Sequence, residues 1–180
     1  GSTLNTGGSI TLNTNGIFWD NIAIAVGGAV NTITLTSDLY CNSFSGAKSG
    51  GSIINKTTSE ALYIYKTFTP ANNGYGGTAD VYLRGTTVWS GNVPLSVNLY
   101  IDGNITISGT VQKSGNLTYL SGTINSTAGT LSLTGVSTVT NFNKAPLRAV
   151  TITASTTITM NEFFTGTANQ ICQITSSGAN

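Results

Sequence analysis

Apolar residues recur at every second position along most of this chain, and that period restricts its fold more than any other feature. Ile22-Ala-Ile24-Ala-Val26, Ile33-Thr-Leu35, Val97-Asn-Leu99-Tyr-Ile101, Ile105-Thr-Ile107, Leu131-Ser-Leu133, Val150-Thr-Ile152 and Ile158-Thr-Met160 all alternate. In a strand, successive side chains point to opposite faces, so each run puts its apolar members on one side and Thr, Asn or Ser on the other. No segment keeps a helical spacing over three turns. Residues 59–66 come nearest, and Tyr63-Ile-Tyr65 within them reads better as strand. The chain is therefore expected to be all-β.

The interruptions are as regular as the runs. Gly7-Gly8, Gly27-Gly28, Gly50-Gly51, Gly76-Gly77, Asp102-Gly103-Asn104, Ser121-Gly122 and Gly129 break the alternation. Glycine supplies positive φ at turns, and Asn and Asp tolerate it. Short strands at such spacing suit a sandwich, a barrel or a solenoid.

Internal similarity favours the solenoid. Residues 17–26 lead to Thr32-Ile-Thr-Leu35, residues 88–101 lead to Asn104-Ile-Thr-Ile107, and residues 144–152 lead to Thr157-Ile-Thr-Met160. Asn92-Val-Pro-Leu95 and Lys144-Ala-Pro-Leu147 match closely. The Ile-Thr-apolar units begin at Ile33, Ile105 and Ile158, so they lie 72 and 53 residues apart. Those gaps approximate multiples of a coil of roughly 18–26 residues. One coil cannot bury its own inner face, so a repeat of this length implies stacking along an axis. The expected fold is a β-solenoid, a parallel β-helix, in one segment over residues 1–180. Residues 47–80 fit the repeat less well and read as an insertion or an irregular coil. A β-sandwich is the alternative.

Composition limits the chemistry. Charged residues are 7% of the chain, against roughly 25% in an average soluble domain. The net charge is +1. The basic residues are scattered from Lys48 to Arg148 and form no stripe for phosphates, so no nucleic-acid partner is expected. No stretch approaches the roughly 20 apolar residues of a spanning helix, so no membrane insertion is expected. Histidine is absent, which removes Ser-His-Asp and Cys-His nucleophiles and His-ligated zinc.

The acids are Asp20, Asp38, Glu60, Asp80, Asp102 and Glu162. Asp20, Asp38 and Asp102 flank strand ends or turns, where Asp caps backbone groups. Gly76-Gly-Thr-Ala-Asp80 departs from a calcium-binding β-roll repeat in its second glycine and its Asp position, and nothing repeats it. Asp102-Gly-Asn is too short for an EF-hand loop. The glycine runs lack the Gly-Lys-Ser/Thr ending of a phosphate loop. No catalytic residue, metal or cofactor is expected, and the chain is read as a non-enzyme.

Cys41 and Cys172 lie far apart and read as small buried apolar residues, with a bridge left open. Asn55, Asn104, Asn116 and Asn125 head Asn-x-Ser/Thr sequons and are candidate glycosylation sites. Paired Thr at 32/34/36, 138/140, 151/153 and 157/159 would form a hydroxyl lattice if they stacked, as in an ice-binding surface. They do not recur once per coil, which favours ordinary cross-strand Thr pairs. Trp19 and Trp89 sit at equivalent points of two repeats and are expected in the core. Tyr82 and Tyr100 alternate with apolar neighbours, so they are expected to face outward as the candidate surface contacts.

Gly129-Thr-Leu-Ser-Leu-Thr-Gly135, Asn104-Ile-Thr-Ile-Ser-Gly109 and Thr87-Val-Trp-Ser-Gly91 resemble the Thr/Gly-rich β-solenoid regions of phage virion proteins, in tail fibres and appendages, and of related bacterial surface adhesins. The resemblance covers residues 1–46 and 81–180. Residues 163–177 resemble the start of a further coil, so the natural chain is expected to continue beyond both ends. The resemblance implies a structural module at a virion surface or in an extracellular setting. It also implies association as a homo-oligomer such as a trimer, or with other virion or surface subunits, and contact with a cell-surface glycan. The alternatives are a cellular adhesin or extracellular filament subunit, and an ice-binding or carbohydrate-active β-helix protein.

Overall fold

The alternating runs among the described residues become strands, and Gly16, Gly91 and Gly122 lie between strands at positive φ. The computed structural model describes residues 2–6, 9–24, 31–46, 52–70, 75–91, 94–141, 149–153, 157–160 and 173–177. The first eight strands are β1 (Thr3–Thr6), β2 (Ile10–Leu12), β3 (Phe18–Ile24), β4 (Asn31–Leu35), β5 (Leu39–Ser45), β6 (Ser52–Lys56), β7 (Ala61–Thr69) and β8 (Tyr75–Gly76). They are followed by β9 (Asp80–Ser90), β10 (Pro94–Leu95), β11 (Leu99–Ser121), β12 (Ile124–Asn125) and β13 (Gly129–Thr140). Last come β14 (Ala149–Thr153), β15 (Thr157–Met160) and β16 (Gln173–Ser177).

The strands stack in parallel with an every-other order, β1-β3-β5-β7-β9-β11 along one ladder and β2-β4-β6-β8-β10-β11 along another. Every inter-strand pairing described is parallel, and partners lie from 18 residues apart, as Val81 and Leu99, to 24, as Ala149 and Gln173. This is an all-β β-solenoid of stacked coils. The long β11 runs round more than one coil. It pairs with β9 along 99–108, with β10 at 112–113 and with β13 along 109–118.

The core is a set of columns, one residue from each rung. Leu4, Ile22, Phe44, Phe68, Trp89 and Ile107 occupy successive rungs of one column. Leu39, Leu62, Val81 and Leu99 form a second. All of these except Leu4 are buried. Burying such side chains stabilises by roughly 1.5–3 kcal/mol each. Packing is close: the enclosed void beside Trp89, Ile105, Ile107 and Leu131 is about 10 Å³, barely one water-sized sphere.

Coils of unequal length are reconciled by bulges. The β5–β7 register slips between Cys41 and Ser43, and the β7–β9 register slips between Ile64 and Thr67. The described part of residues 47–80 thus supplies β6, β7 and β8 to the two ladders, with the register changes centred on β7. At one corner glycines succeed each other: Gly85 pairs with Gly103, and Gly122 lies over Gly103. A Cβ on Gly103 would meet the Gly85 backbone at 2.7 Å, so the backbones approach too closely there for any side chain.

The phasing of the repeat read from sequence needs correction. Trp19 pairs with Cys41 and lies in the column that continues through Ile64, Leu83 and Ile101, whereas Trp89 belongs to the phenylalanine column. The two tryptophans are therefore not equivalent, and Trp19 is only partly buried. Ile33 stacks between Ile10 and Ile54 on the even-numbered ladder, while Ile105 lies opposite Thr87 on the other. Both ladders carry the same inward alternation, so similar strings recur on different faces. Residues 144–148, Glu162 and Cys172 lie outside the described residues. Of the further coil expected near the end, β16 stacks on β14.

Candidate surface site: a tyrosine ladder

The outward positions of the same strands build the molecule's most distinctive surface. Phe18, Tyr40, Tyr63, Tyr82 and Tyr100 are register partners on five consecutive rungs. The Tyr40–Tyr63, Tyr63–Tyr82 and Tyr82–Tyr100 ring centroids are 4.8, 4.9 and 4.5 Å apart, with interplanar angles of 8°, 25° and 10°. The rung spacing of a parallel sheet, about 4.8 Å, imposes this stack. Phe18 turns aside and tilts against Tyr65 at 5.4 Å.

Charged groups brace the stack. The Arg84 guanidinium carbon lies 4.4 Å from the Tyr63 ring centroid and 5.6 Å from that of Tyr82. Its Nε donates to Asp102 Oδ2 at 2.8 Å. The Tyr40 hydroxyl donates to Asp38 Oδ2 at 3.1 Å. Burial, then the Asp38 hydrogen bond and charge, raises the Tyr40 phenol above its ordinary pKa. Burial likewise raises Tyr63, Tyr82 and Tyr100, because a partly buried phenolate loses hydration.

Beside the rings runs a polar rail. Lys56 Nζ donates to Asp80 Oδ2 at 2.8 Å, Asn98 Nδ2 to Asp80 Oδ1 at 2.8 Å, and Asn116 Nδ2 to Asn98 Oδ1 at 2.9 Å. The remaining described acids also serve the backbone or a neighbouring rung. Asp20 accepts from Asn42, which lowers its pKa. Asp38 accepts from the Ala61 amide, and Asp102 from Ser121. Glu60 accepts from the amides and hydroxyls of Thr57 and Thr58, and the Thr58 amide first of all lowers its pKa to about 2. No group of three or more His, Cys, Asp or Glu able to hold a metal occurs among the described residues.

The structure thus places both predicted contact residues, Tyr82 and Tyr100, on one outward ladder. It also adds Tyr40 and Tyr63, whose common phase with them depends on coils of unequal length. The ring faces of Tyr63 and Tyr82 cover one another, so only edges and hydroxyls are presented there. The sequon asparagines are spread over the surface. Asn55 Oδ1 accepts from the Thr78 amide and Asn104 Oδ1 from Thr123 Oγ1. Asn116 belongs to the rail, and Asn125 Oδ1 accepts from the amide of Thr127 in its own sequon. Of the Thr pairs, Thr138 and Thr140 stack on Asn116 and Thr118, so the two-column Thr pattern is not continued at that rung.

Cys41 is buried and its thiol is free, with burial pushing its pKa up to about 12. Composition alone does not single out Lys113. It takes an inward position between Leu95 and Leu133 and is fully buried. Its ammonium donates to the Ser114 carbonyl, and burial lowers its pKa to about 7. The inward phase of Val111-Gln-Lys113 was the available signal.

No helix among the described residues is long and apolar enough to cross a membrane. Comparison of the chain with protein-family models, curated proteins and solved structures finds no match.

Proposed function

We propose that this chain is a structural rod segment of a virion fibre or tail appendage, and that its tyrosine ladder is the side presented to a host surface. The observation that carries the reading is the single inward core running rung after rung, combined with one outward aromatic ladder. A stacked rod transmits length, and its charge-poor surface leaves the aromatic strip as the adhesive feature. The Thr/Gly-rich repeat strings support the virion assignment through their resemblance to such regions. The same resemblance supports self-association as a trimer.

Antibodies raised against the chain test the assignment by immuno-electron microscopy of the source material. Gold on fibres or appendages of virus particles is expected. Gold on cell envelopes instead would establish the adhesin reading. Light scattering addresses assembly separately, where a monomer at high concentration would count against the trimer.

A further inference from the structure

The tyrosine ladder stops at Tyr100, and its end differs from its middle. One face of the Tyr100 ring is stacked on Tyr82 at 4.5 Å. The coil step is 18 residues through Asn98–Asn116 and 19 from Asp102–Ser121 onward, and the outward position between buried Leu117 and Tyr119 falls on Thr118. The residue one rung beyond Tyr100 is therefore Thr118, and Thr140 follows it. Threonine is several ångströms shorter than tyrosine. The outer part of the Tyr100 ring thus stands above a floor of Thr118 and Thr140 as the wall of a ledge.

The flanks of this ledge carry no uncommitted cation: Asp102, two residues beyond Tyr100, holds both Arg84 and Ser121. On one side is Asn116, exposed and bonded to Asn98. On the other is Leu120, which is 47% exposed. The nearby cations are committed, Lys56 to Asp80 and Arg84 to Asp102.

We propose that this ledge is a binding site for one ring of a neutral saccharide. The C–H face of the sugar packs on the open face of Tyr100, and its hydroxyls meet Asn116, Thr118 and Thr140. An aromatic ring that is apolar on its face, with amide and hydroxyl groups at its rim, matches a sugar's apolar face and polar edge. The lack of an uncommitted cation at the ledge argues against an acidic sugar or a phosphate, which would need one. The proposal rests on the tyrosine ladder being the contact side, but not on whether the rod belongs to a virion or a cell.

Saturation-transfer NMR on the whole chain tests it, with a panel of neutral oligosaccharides of hexoses and N-acetylhexosamines. Transfer to the protons of one sugar face is expected with at least one member. Two variants locate the site. Tyr100→Ala removes the wall, and Thr118→Tyr extends the ladder by one rung and covers the open face. Each should weaken binding at least tenfold while circular dichroism stays unchanged. If Tyr100→Ala perturbs the fold, Thr118→Tyr, which removes no ladder ring, decides alone. No transfer to any neutral oligosaccharide, or binding unchanged in Thr118→Tyr, overturns the ledge. Neither result bears on where antibodies to the chain label, so failure here is distinct from failure of the fibre assignment.

Discussion

The rings of Tyr82 and Tyr100, eighteen residues apart in sequence, stack at 4.5 Å and 10° because their backbones are neighbours in consecutive coils. Tyr82 also stacks on Tyr63 and lies beneath the Arg84 guanidinium. Each aromatic pair contributes about 0.5–1.5 kcal/mol beyond its buried area. Tyr82→Ala should therefore lower stability by about 1–3 kcal/mol, and Tyr82→Phe by far less, in urea unfolding. A loss no larger than the roughly 0.5 kcal/mol of an ordinary surface substitution would contradict a working ladder.

The glycine corner makes a contrast between two sites of positive φ. A Cβ on Gly122, at φ +94°, would fall inside the Gly103 carbonyl, whereas one on Gly109, at φ +69°, meets nothing within 4 Å. Gly109→Ala should cost only the backbone strain, about 1–2 kcal/mol. Gly122→Ala should cost clearly more, because two rungs must separate. Comparable unfolding midpoints for the two variants would mean that the coils are not in contact at this corner.

Lys113 gives stability a dependence on pH. Its folded pKa is about 7 against an ordinary 10.5, so between those values the unfolded chain binds the extra proton. Stability should rise as pH rises from about 7 toward 10, because the penalty for burying the cation is full below the folded value and gone above the unfolded one. Its full size is on the order of 5 kcal/mol. Above pH 10 the raised tyrosine phenols act in the opposite sense, since the unfolded chain then loses protons first. Lys113→Met should be more stable than the parent at pH 6 and lose the slope between pH 7 and 10. Denaturant midpoints across that range read both effects.

Glu60 acts at the acid end. Its carboxylate holds the Thr57–Thr58 turn, and its folded pKa is about 2 against 4.5. The stability it contributes is present above about 4.5 and is lost as pH falls through the folded value. The parent and Glu60→Gln should therefore differ at pH 6 and converge near pH 2 in urea titrations. Equal stability at pH 6 would mean that the carboxylate does not hold the turn.

The period-two alternation made the β class legible, and the repeat made the stacking legible. The coil length was readable too, since the observed 18–24 residues fall within the expected span. The phase was not readable. Ile33 and Ile105 sit in similar strings on different ladders, because every face of the solenoid asks for the same apolar-in, polar-out alternation. The outward placement of Tyr82 and Tyr100 followed from local alternation alone. Tyr40 and Tyr63 joined them only once the unequal coils and the bulges at Cys41 and Ile64 were known. Lys113 is less legible for a related reason: composition counts it as surface charge, while its alternation with Val111 and its register beside Leu95 and Leu133 show that it points inward.

The solenoid rests on parallel stacking at an eighteen-residue step between β9 and β11. Nuclear Overhauser spectra of the isotope-labelled chain test it most directly. The predicted result is in-register contacts between residues 81–90 and 99–108, including the Trp89 ring with the Ile107 methyls and the Thr87 methyl with Ile105. Strong Hα–Hα contacts between strands running in opposite directions, the signature of closely spaced antiparallel pairs, would contradict the solenoid and restore the sandwich.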